Sequence, residues 1–141
     1  MVTYRDGKGN MPVDLLHDGA MKRAEAFVVL YNGKVDERSS ISSAQLRRFY
    51  GEFKSLEKRF HFKRQNDSSE NPFLSILPLI KMVKSKAAYA ANPKNRKIPE
   101  SFQKWMEECI DAINTQDDFE AFLLHFEAVV GFCYGRGLSN K

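Results

Sequence analysis

The side chains in this chain that are best suited to bind a ligand are its lysines and arginines, which are concentrated in the middle third. Residues 46–97 hold 13 basic and 4 acidic side chains, whereas residues 98–141 hold 3 basic and 8 acidic ones. Such an excess of positive charge attracts phosphate groups, carboxylates or anionic membrane surfaces. Because the lysines are not accompanied by clusters of base-reading side chains, the pattern favours contacts to a nucleic-acid backbone, and we predict sequence-independent RNA binding.

Much of this charge is predicted to lie on one long helix. The sequence Ser42–Gln45 fits a capping box, and apolar residues follow it at alternating spacings of three and four. Basic side chains occupy the opposite side, and only Glu52 and Glu57 oppose the seven basic residues from Arg47 to Arg64. A merely solvated face usually mixes both signs of charge, so this composition favours a binding surface.

A second basic stretch, Lys81–Lys97, begins on an apolar segment and ends in a loop. Apolar residues between positions 73 and 83 occupy nearly every direction around a helix, which predicts a central, mostly buried element. Pro78 predicts that this helix begins close to it, and Asn92-Pro93 predicts its end. For Tyr89 the sequence leaves two interpretations open, packing in the core and contact with RNA.

The remaining segments complete an all-α fold, a compact bundle of about five helices. Helical spacing is found over Asp14–Tyr31, from Pro99 onwards, and from Asp117 onwards. No alternation of useful length predicts a strand. We expect residues 1–12 to form a flexible N-terminal tail and residues 13–141 to form a single helical domain.

Several other kinds of function find no support in the sequence. No apolar run approaches the ~20 residues that cross a bilayer, and the N-terminus lacks the apolar centre of a signal peptide, so we expect a cytoplasmic protein without a membrane partner. Cys109 and Cys133 are predicted to be buried, reduced thiols on apolar helix faces. Metal-ligand spacing and Gly-rich phosphate loops are missing, so no catalytic residue, metal or cofactor is predicted. A ribonuclease with an unrecognised site stays as the weakest alternative.

Three blocks of the sequence are similar, in order, to motifs of one family. Residues 43–50, SAQLRRFY, are similar to T-x-x-Q-[IL]-R-[KR]-[FY], and residues 82–91, MVKSKAAYAA, to M-x-K-P-K-L-A-Y-A-A-G-R. Residues 119–132 are similar to F-x-x-F…[FL]-E-A-[ILV]-[VL]-A-[FY]. On these blocks the chain resembles the small subunit of the type III-A CRISPR Csm complex. Two positions depart from the pattern: Ser85 replaces a proline, and Asn92-Pro93 replaces Gly-Arg.

The resemblance implies a small helical subunit without catalytic activity, several copies of which stack in an RNA-guided antiviral complex. Its partners would be the guide RNA (crRNA), the target RNA, the other subunits of the complex and further copies of itself. By position, the family's motifs indicate as RNA-binding residues Arg47, Arg48, Lys54, Lys84, Lys86 and Tyr89. The charge pattern around them adds Lys58, Arg59, Lys81 and Arg96.

An alternative from a different class is a helical protein–protein adaptor. Its basic face would dock an acidic partner and would never contact nucleic acid. The acidic segment 98–141 would then be attractive for self-association, basic face to acidic face in a head-to-tail stack. Retention of RNA by the purified protein separates the two hypotheses.

Overall fold

The computed structural model describes residues 2–66 and 71–139. Its elements, in chain order, are a 3₁₀ turn Val13–Leu16, α1 Asp18–Phe27, β1 Leu30–Tyr31, β2 Lys34–Val35, α2 Ser43–Asn66, α3 Pro72–Ala90, α4 Glu100–Asp111 and α5 Gln116–Gly135. The predicted all-α class and the bundle of about five helices are confirmed.

The helices close a ring around one aromatic core. α1 packs on α5, α5 on α2, α2 on α3, α3 on α4, and α4 on α1. In the centre, the ring of Phe126 lies 5.0 Å from that of Trp105, and the ring of Phe122 lies 4.7 Å from that of Phe53, each pair edge to face. Edge-to-face pairs of this kind add to the stabilisation from burial. The ring leaves each helix one side that faces outward.

A small hairpin stands where the sequence predicted helix and no strand. Leu30 pairs with Val35, and Tyr31 pairs with Lys34, in an antiparallel register. The two residues between the strands, Asn32 and Gly33, have φ angles of 53° and 78°. Asn-Gly is the preferred pair for this tight turn, in which both central residues need positive φ. The prediction of a helix up to Tyr31 is therefore wrong, because Asn32-Gly33 turns the chain instead of only ending a helix.

The start of α3 also differs from the prediction. The helix begins at Pro72, where the Asn71 side chain accepts a hydrogen bond from the Leu74 amide at 3.3 Å. Pro78 lies inside the helix at an exposed position and removes one backbone hydrogen bond there. The cap and the burial of Phe73 upstream of Pro78 offset that loss.

α5 begins at Gln116, one residue before the Asp117 at which the sequence predicted its start. The Thr115 hydroxyl accepts a hydrogen bond from the Asp118 amide at 3.1 Å, and the Asp118 carboxylate accepts one from the Thr115 amide, also at 3.1 Å. This reciprocal pair is a capping box, with aspartate in the place usually held by glutamate.

The N-terminal segment contacts the bundle, which was not expected from the sequence. Val2 and Tyr4 are buried, and the Tyr4 hydroxyl donates a hydrogen bond to the Cys109 carbonyl at 2.7 Å. The division of the chain into a flexible tail and a single domain stays a prediction. Cys109 itself, like Cys133, is a free buried thiol, as predicted. Burial raises the pKa of Cys133 to about 12, so this thiol stays protonated at neutral pH.

Candidate nucleic-acid interface

The long helix α2 has one buried side and one basic side. Its buried side chains recur at spacings of three and four and belong to the core: Leu46, Phe49, Phe53, Leu56 and Phe60. On the opposite side, four cations are exposed: Arg47, Arg48, Lys58 and Arg59. We call these four residues the α2 basic face. The predicted capping box is present in part, because the Ser42 hydroxyl accepts a hydrogen bond from the Gln45 amide at 3.2 Å.

The two acids of α2 bind lysines that lie outside the basic face. Lys86 on α3 contacts the Glu52 carboxylate at 2.7 Å, and Lys54 contacts the Glu57 carboxylate at 2.6 Å. The hydrogen bond to Glu57 raises the pKa of Lys54. Each acid thus neutralises a lysine that the sequence had placed among the RNA-binding candidates.

The basic face is left without compensating charge. Among residues 2–66 and 71–139, Arg48, Lys58 and Arg59 form no ion pair and no side-chain hydrogen bond. The Arg47 guanidinium makes one contact within its own helix, in which its Nε donates to the Ser43 carbonyl at 3.4 Å. These cations remain available to bind an anion from outside the chain.

Two further candidates, Lys81 and Lys84, hold α3 against α4. The Lys84 ammonium contacts the Asp111 carboxylate at 2.7 Å, a hydrogen bond that raises the pKa of Lys84. The Lys81 ammonium donates to the Ile110 carbonyl at 2.7 Å, at the C-terminal end of α4, where helix carbonyls lack partners. Burial lowers the pKa of Lys81. The structure therefore gives both lysines a contact inside the bundle.

Tyr89 and Arg96 lie at the far end of α3 and beyond it. The Tyr89 side chain is 77 % exposed, so the interpretation of this residue as part of the core is wrong. Arg96 lies in the loop after α3, where one guanidinium nitrogen donates weakly to the Ile98 carbonyl at 3.5 Å. Both residues are near the start of α2, because α2 and α3 run in opposite directions.

The outward side of α3 is apolar, which the sequence did not predict. The helix was expected to be buried in nearly every direction, yet Leu74 is 56 % exposed and Met82 50 %. Pro78, between them at four-residue spacing, is exposed as well. We call these three residues, together with Tyr89, the α3 apolar stripe. The four-residue spacing was visible in the sequence, but it was hidden by the many apolar residues around it.

The outward side of α5 carries the opposite charge. Three acids and one leucine, which is 43 % exposed, lie on it: Asp117, Glu120, Leu124 and Glu127. We call these residues the α5 acidic face. α3 and α5 are not neighbours in the ring, and Phe73 of α3 meets Phe119 of α5 across the core. The α3 apolar stripe and the α5 acidic face therefore point away from each other.

The comparison with family models decides where this chain belongs. The model described as Csm2 Type III-A matches residues 22–135, well over half of the chain, including all of α2, α3, α4 and α5. The chain belongs to the Csm2 family. It is thus a small subunit of the type III-A CRISPR Csm complex, which confirms the resemblance found in the three sequence blocks. Comparisons with curated proteins and with solved structures find no match.

Both charged surfaces and the α3 apolar stripe lie inside the part that matches the Csm2 model. Within residues 2–66 and 71–139, no group of three or more His, Cys, Asp or Glu side chains could hold a metal ion. None of the helices in the same ranges has the length and apolar character required to cross a membrane.

Proposed function

We propose that this Csm2 subunit binds the backbone of the guide RNA and target RNA through the α2 basic face. The observation that supports the proposal is that the two acids of α2 are occupied by other lysines, while the face itself has no acid partner in the described chain. Three of its four cations are arginines, whose planar guanidinium groups bind phosphate with two parallel hydrogen bonds. Contacts of this type depend on charge and salt, and little on base sequence.

In this proposal the subunit has no catalytic role, needs no cofactor or metal, and works in the cytoplasm. The histidine nearest to the basic face is His61, which a ribonuclease would need as a free acid or base. Its Nδ1 lies 3.1 Å from a guanidinium nitrogen of Arg64, and its Nε2 lies 3.9 Å from the Glu57 carboxylate. The latter carboxylate is also bound to Lys54. These contacts favour a structural role for His61.

A second function, docking of other proteins, is supported by the α3 apolar stripe. Burial of exposed leucine and methionine side chains against another protein is favourable, whereas these side chains offer no charge or hydrogen bond to RNA. We propose that copies of the subunit stack head to tail, with the stripe of one copy against the α5 acidic face of the next. The adaptor hypothesis, in which the basic face docks an acidic partner and no RNA is bound, stays as the alternative.

Charge reversal on α2 tests the RNA proposal. We expect Arg48→Glu/Arg59→Glu to lower the affinity for a single-stranded RNA by tenfold or more at moderate salt, because two attractive contacts become repulsive. Fluorescence anisotropy measures this affinity, and circular dichroism checks that the helices are kept. The matched control is Lys22→Glu/Lys34→Glu, which changes the net charge equally at two exposed lysines away from α2.

Two results would contradict the proposal. One is a wild-type affinity that stays the same between low and moderate salt, since phosphate contacts release counterions and must weaken. The other is an equal loss of affinity in the α2 variant and in its control, which would indicate net charge alone and no defined face.

A further inference from the structure

A cleft of about 270 Å³ lies beside the first turn of α2, between two loops. One loop, residues 36–42, leads into α2, and the other, residues 92–99, follows α3. They meet because α3 runs antiparallel to α2, as the contacts between Lys86 and Glu52 and between Phe73 and Phe60 require. The cleft therefore lies at one end of the α2 basic face.

The walls of the cleft carry three cations and one acid. They are Arg38 and Glu37 from the first loop and Arg96 and Lys97 from the second. Of these, only Arg96 was among the RNA-binding candidates from the sequence. Arg38 stands in a segment of balanced charge, and Lys97 is at the far end of its loop from α3. Only the fold brings them together.

The cations that line the cleft outnumber its acids and lack ion-pair partners among the described residues. In the described chain, Arg38 and Lys97 form no ion pair, and Glu37 lies within 4.0 Å of no cationic nitrogen. The three cations and one acid leave an excess of two positive charges around the cleft. Like charges held in one cavity repel each other, and an anion between them removes that repulsion.

Hydrogen bonds order the backbones of both loops before any ligand arrives. The Asp36 carboxylate accepts hydrogen bonds from the Arg38 amide at 3.3 Å and from the Ser39 hydroxyl at 2.9 Å. In the other loop, the Lys97 amide donates to the Ala90 carbonyl at 2.7 Å. A site whose backbone is already ordered loses less conformational entropy on binding.

The groups between the cations suit a phosphate better than a carboxylate. The hydroxyls of Ser40 and Ser42 line the same cleft, and the Ser42 oxygen, which accepts from the Gln45 amide, still has a proton to donate. Two guanidinium groups, an ammonium and the Ser42 hydroxyl offer donors from several directions, whereas the Ser40 hydroxyl already donates to the Val29 carbonyl at 3.3 Å. These donors match the several acceptor oxygens of a phosphate. The positive end of the α2 dipole acts in the same direction.

We propose that this cleft holds one internal phosphodiester of an RNA strand that lies along the α2 basic face. The inference rests on the proposed RNA function and extends its surface around the start of α2 to residues on two loops. Arg38 and Lys97 bind the phosphate oxygens, and Arg96 adds a third cation. The cleft thereby fixes where the strand crosses the end of the helix, which the face of the helix alone does not do.

The test is the double variant Arg38→Gln/Lys97→Gln in the full-length protein. We expect its affinity for an RNA with 5′-hydroxyl ends to fall three- to tenfold. The slope of log affinity against log salt should become shallower by about 0.7, the value for one lost phosphate contact on a single strand. The control is Lys94→Gln/Lys34→Gln, which removes the same charge from the second loop and from β2, outside the cleft. All four side chains are exposed, so both variants should unfold at the wild-type temperature.

The outcomes separate this inference from the proposed function. If the cleft variant binds RNA with the affinity and salt slope of its control, while Arg48→Glu/Arg59→Glu binds weakly, the cleft proposal is overturned and the RNA function stands. If the wild-type protein retains no RNA, both are overturned. A loss confined to RNA with 5′-phosphate ends would overturn the assignment to an internal phosphodiester, whereas an equal loss with both kinds of end supports it.

Discussion

His125 is a buried residue whose two ring nitrogens are both hydrogen-bonded. The indole N–H of Trp105 donates to Nε2 at 3.1 Å, which leaves the ring proton on Nδ1, and Nδ1 donates to the Leu15 carbonyl at 2.6 Å. The ring thereby links α5, α4 and the 3₁₀ turn. A second proton on Nε2 would oppose the indole N–H. Burial lowers the pKa of His125, because the charged ring would lose its hydration.

This arrangement makes the stability of the protein depend on pH. The unfolded chain takes up a proton at His125 below about pH 6.5, whereas the folded chain does so only at lower pH. The contribution of the neutral His125 ring to the free energy of unfolding is therefore fully present above pH 6.5. It falls as the pH drops towards the pKa of the folded state, by up to about 1.4 kcal/mol per pH unit. Urea unfolding between pH 7.5 and 5.5 measures the decline, and we expect His125→Gln to reduce it. His17→Gln, at an exposed histidine, is the control, and an equal decline in both variants would contradict the prediction.

At the scale of single elements, the lysines divide into two roles that the structure separates. Lys81 caps the end of α4, whereas Lys58 lies on the α2 basic face without a partner among the described residues. We expect Lys81→Met to lower the free energy of unfolding by about 1 kcal/mol and to leave RNA affinity unchanged. We expect Lys58→Met to lower RNA affinity and to leave the free energy of unfolding unchanged. Thermal unfolding and RNA anisotropy on both variants check this, and an RNA defect in Lys81→Met as large as that in Lys58→Met would contradict it.

The sequence predicted the helices well because their pattern is local. The buried seam of α2 and the basic residues opposite it lie three or four positions apart, so helical periodicity alone places them. It could not predict which lysines are neutralised, because the ion pairs join distant parts of the chain. Lys86 meets Glu52, and Lys84 meets Asp111, only after the helices have packed. The cleft on two loops was hidden for the same reason.

The predicted boundaries of elements were wrong where the local sequence is compatible with two conformations. An Asn-Gly pair can end a helix or form a hairpin turn, and here Asn32-Gly33 forms the turn because Leu30 pairs with Val35. Pro78 usually marks the first turn of a helix, yet here Phe73 and Ile76 are buried before it and keep the helix intact. In both places tertiary packing decided between conformations that the local sequence allows.

For the whole molecule, the important property is that two of its outward sides differ in character, one being apolar and the other acidic. The α3 apolar stripe lies on one outward side, and Lys84 and Lys86 beside it are paired with Asp111 and Glu52, while the α5 acidic face lies across the core. When two different surfaces on opposite sides of a subunit contact each other, a dimer still has one free surface of each kind. The contact repeats from copy to copy, which gives an open stack. The proposed row of identical subunits along an RNA strand requires this asymmetry.

The stack predicts a specific loss of self-association. Met82 lies in the middle of the α3 apolar stripe, and Met82→Glu would place a carboxylate opposite the acids of the next copy. In sedimentation velocity at low salt, we expect the average mass of the wild type to rise with concentration and that of the variant to stay near one chain. Met21→Glu, at a methionine on α1 that is 37 % exposed, is the matched control.

A wild type that stays monomeric at every concentration would contradict stacking of the isolated protein, and equal association of the two variants would place the contact elsewhere. Because Met82 is not part of the α2 basic face, the RNA affinity of Met82→Glu at dilute protein should remain within about twofold of wild type, the change expected from one unit of net charge alone.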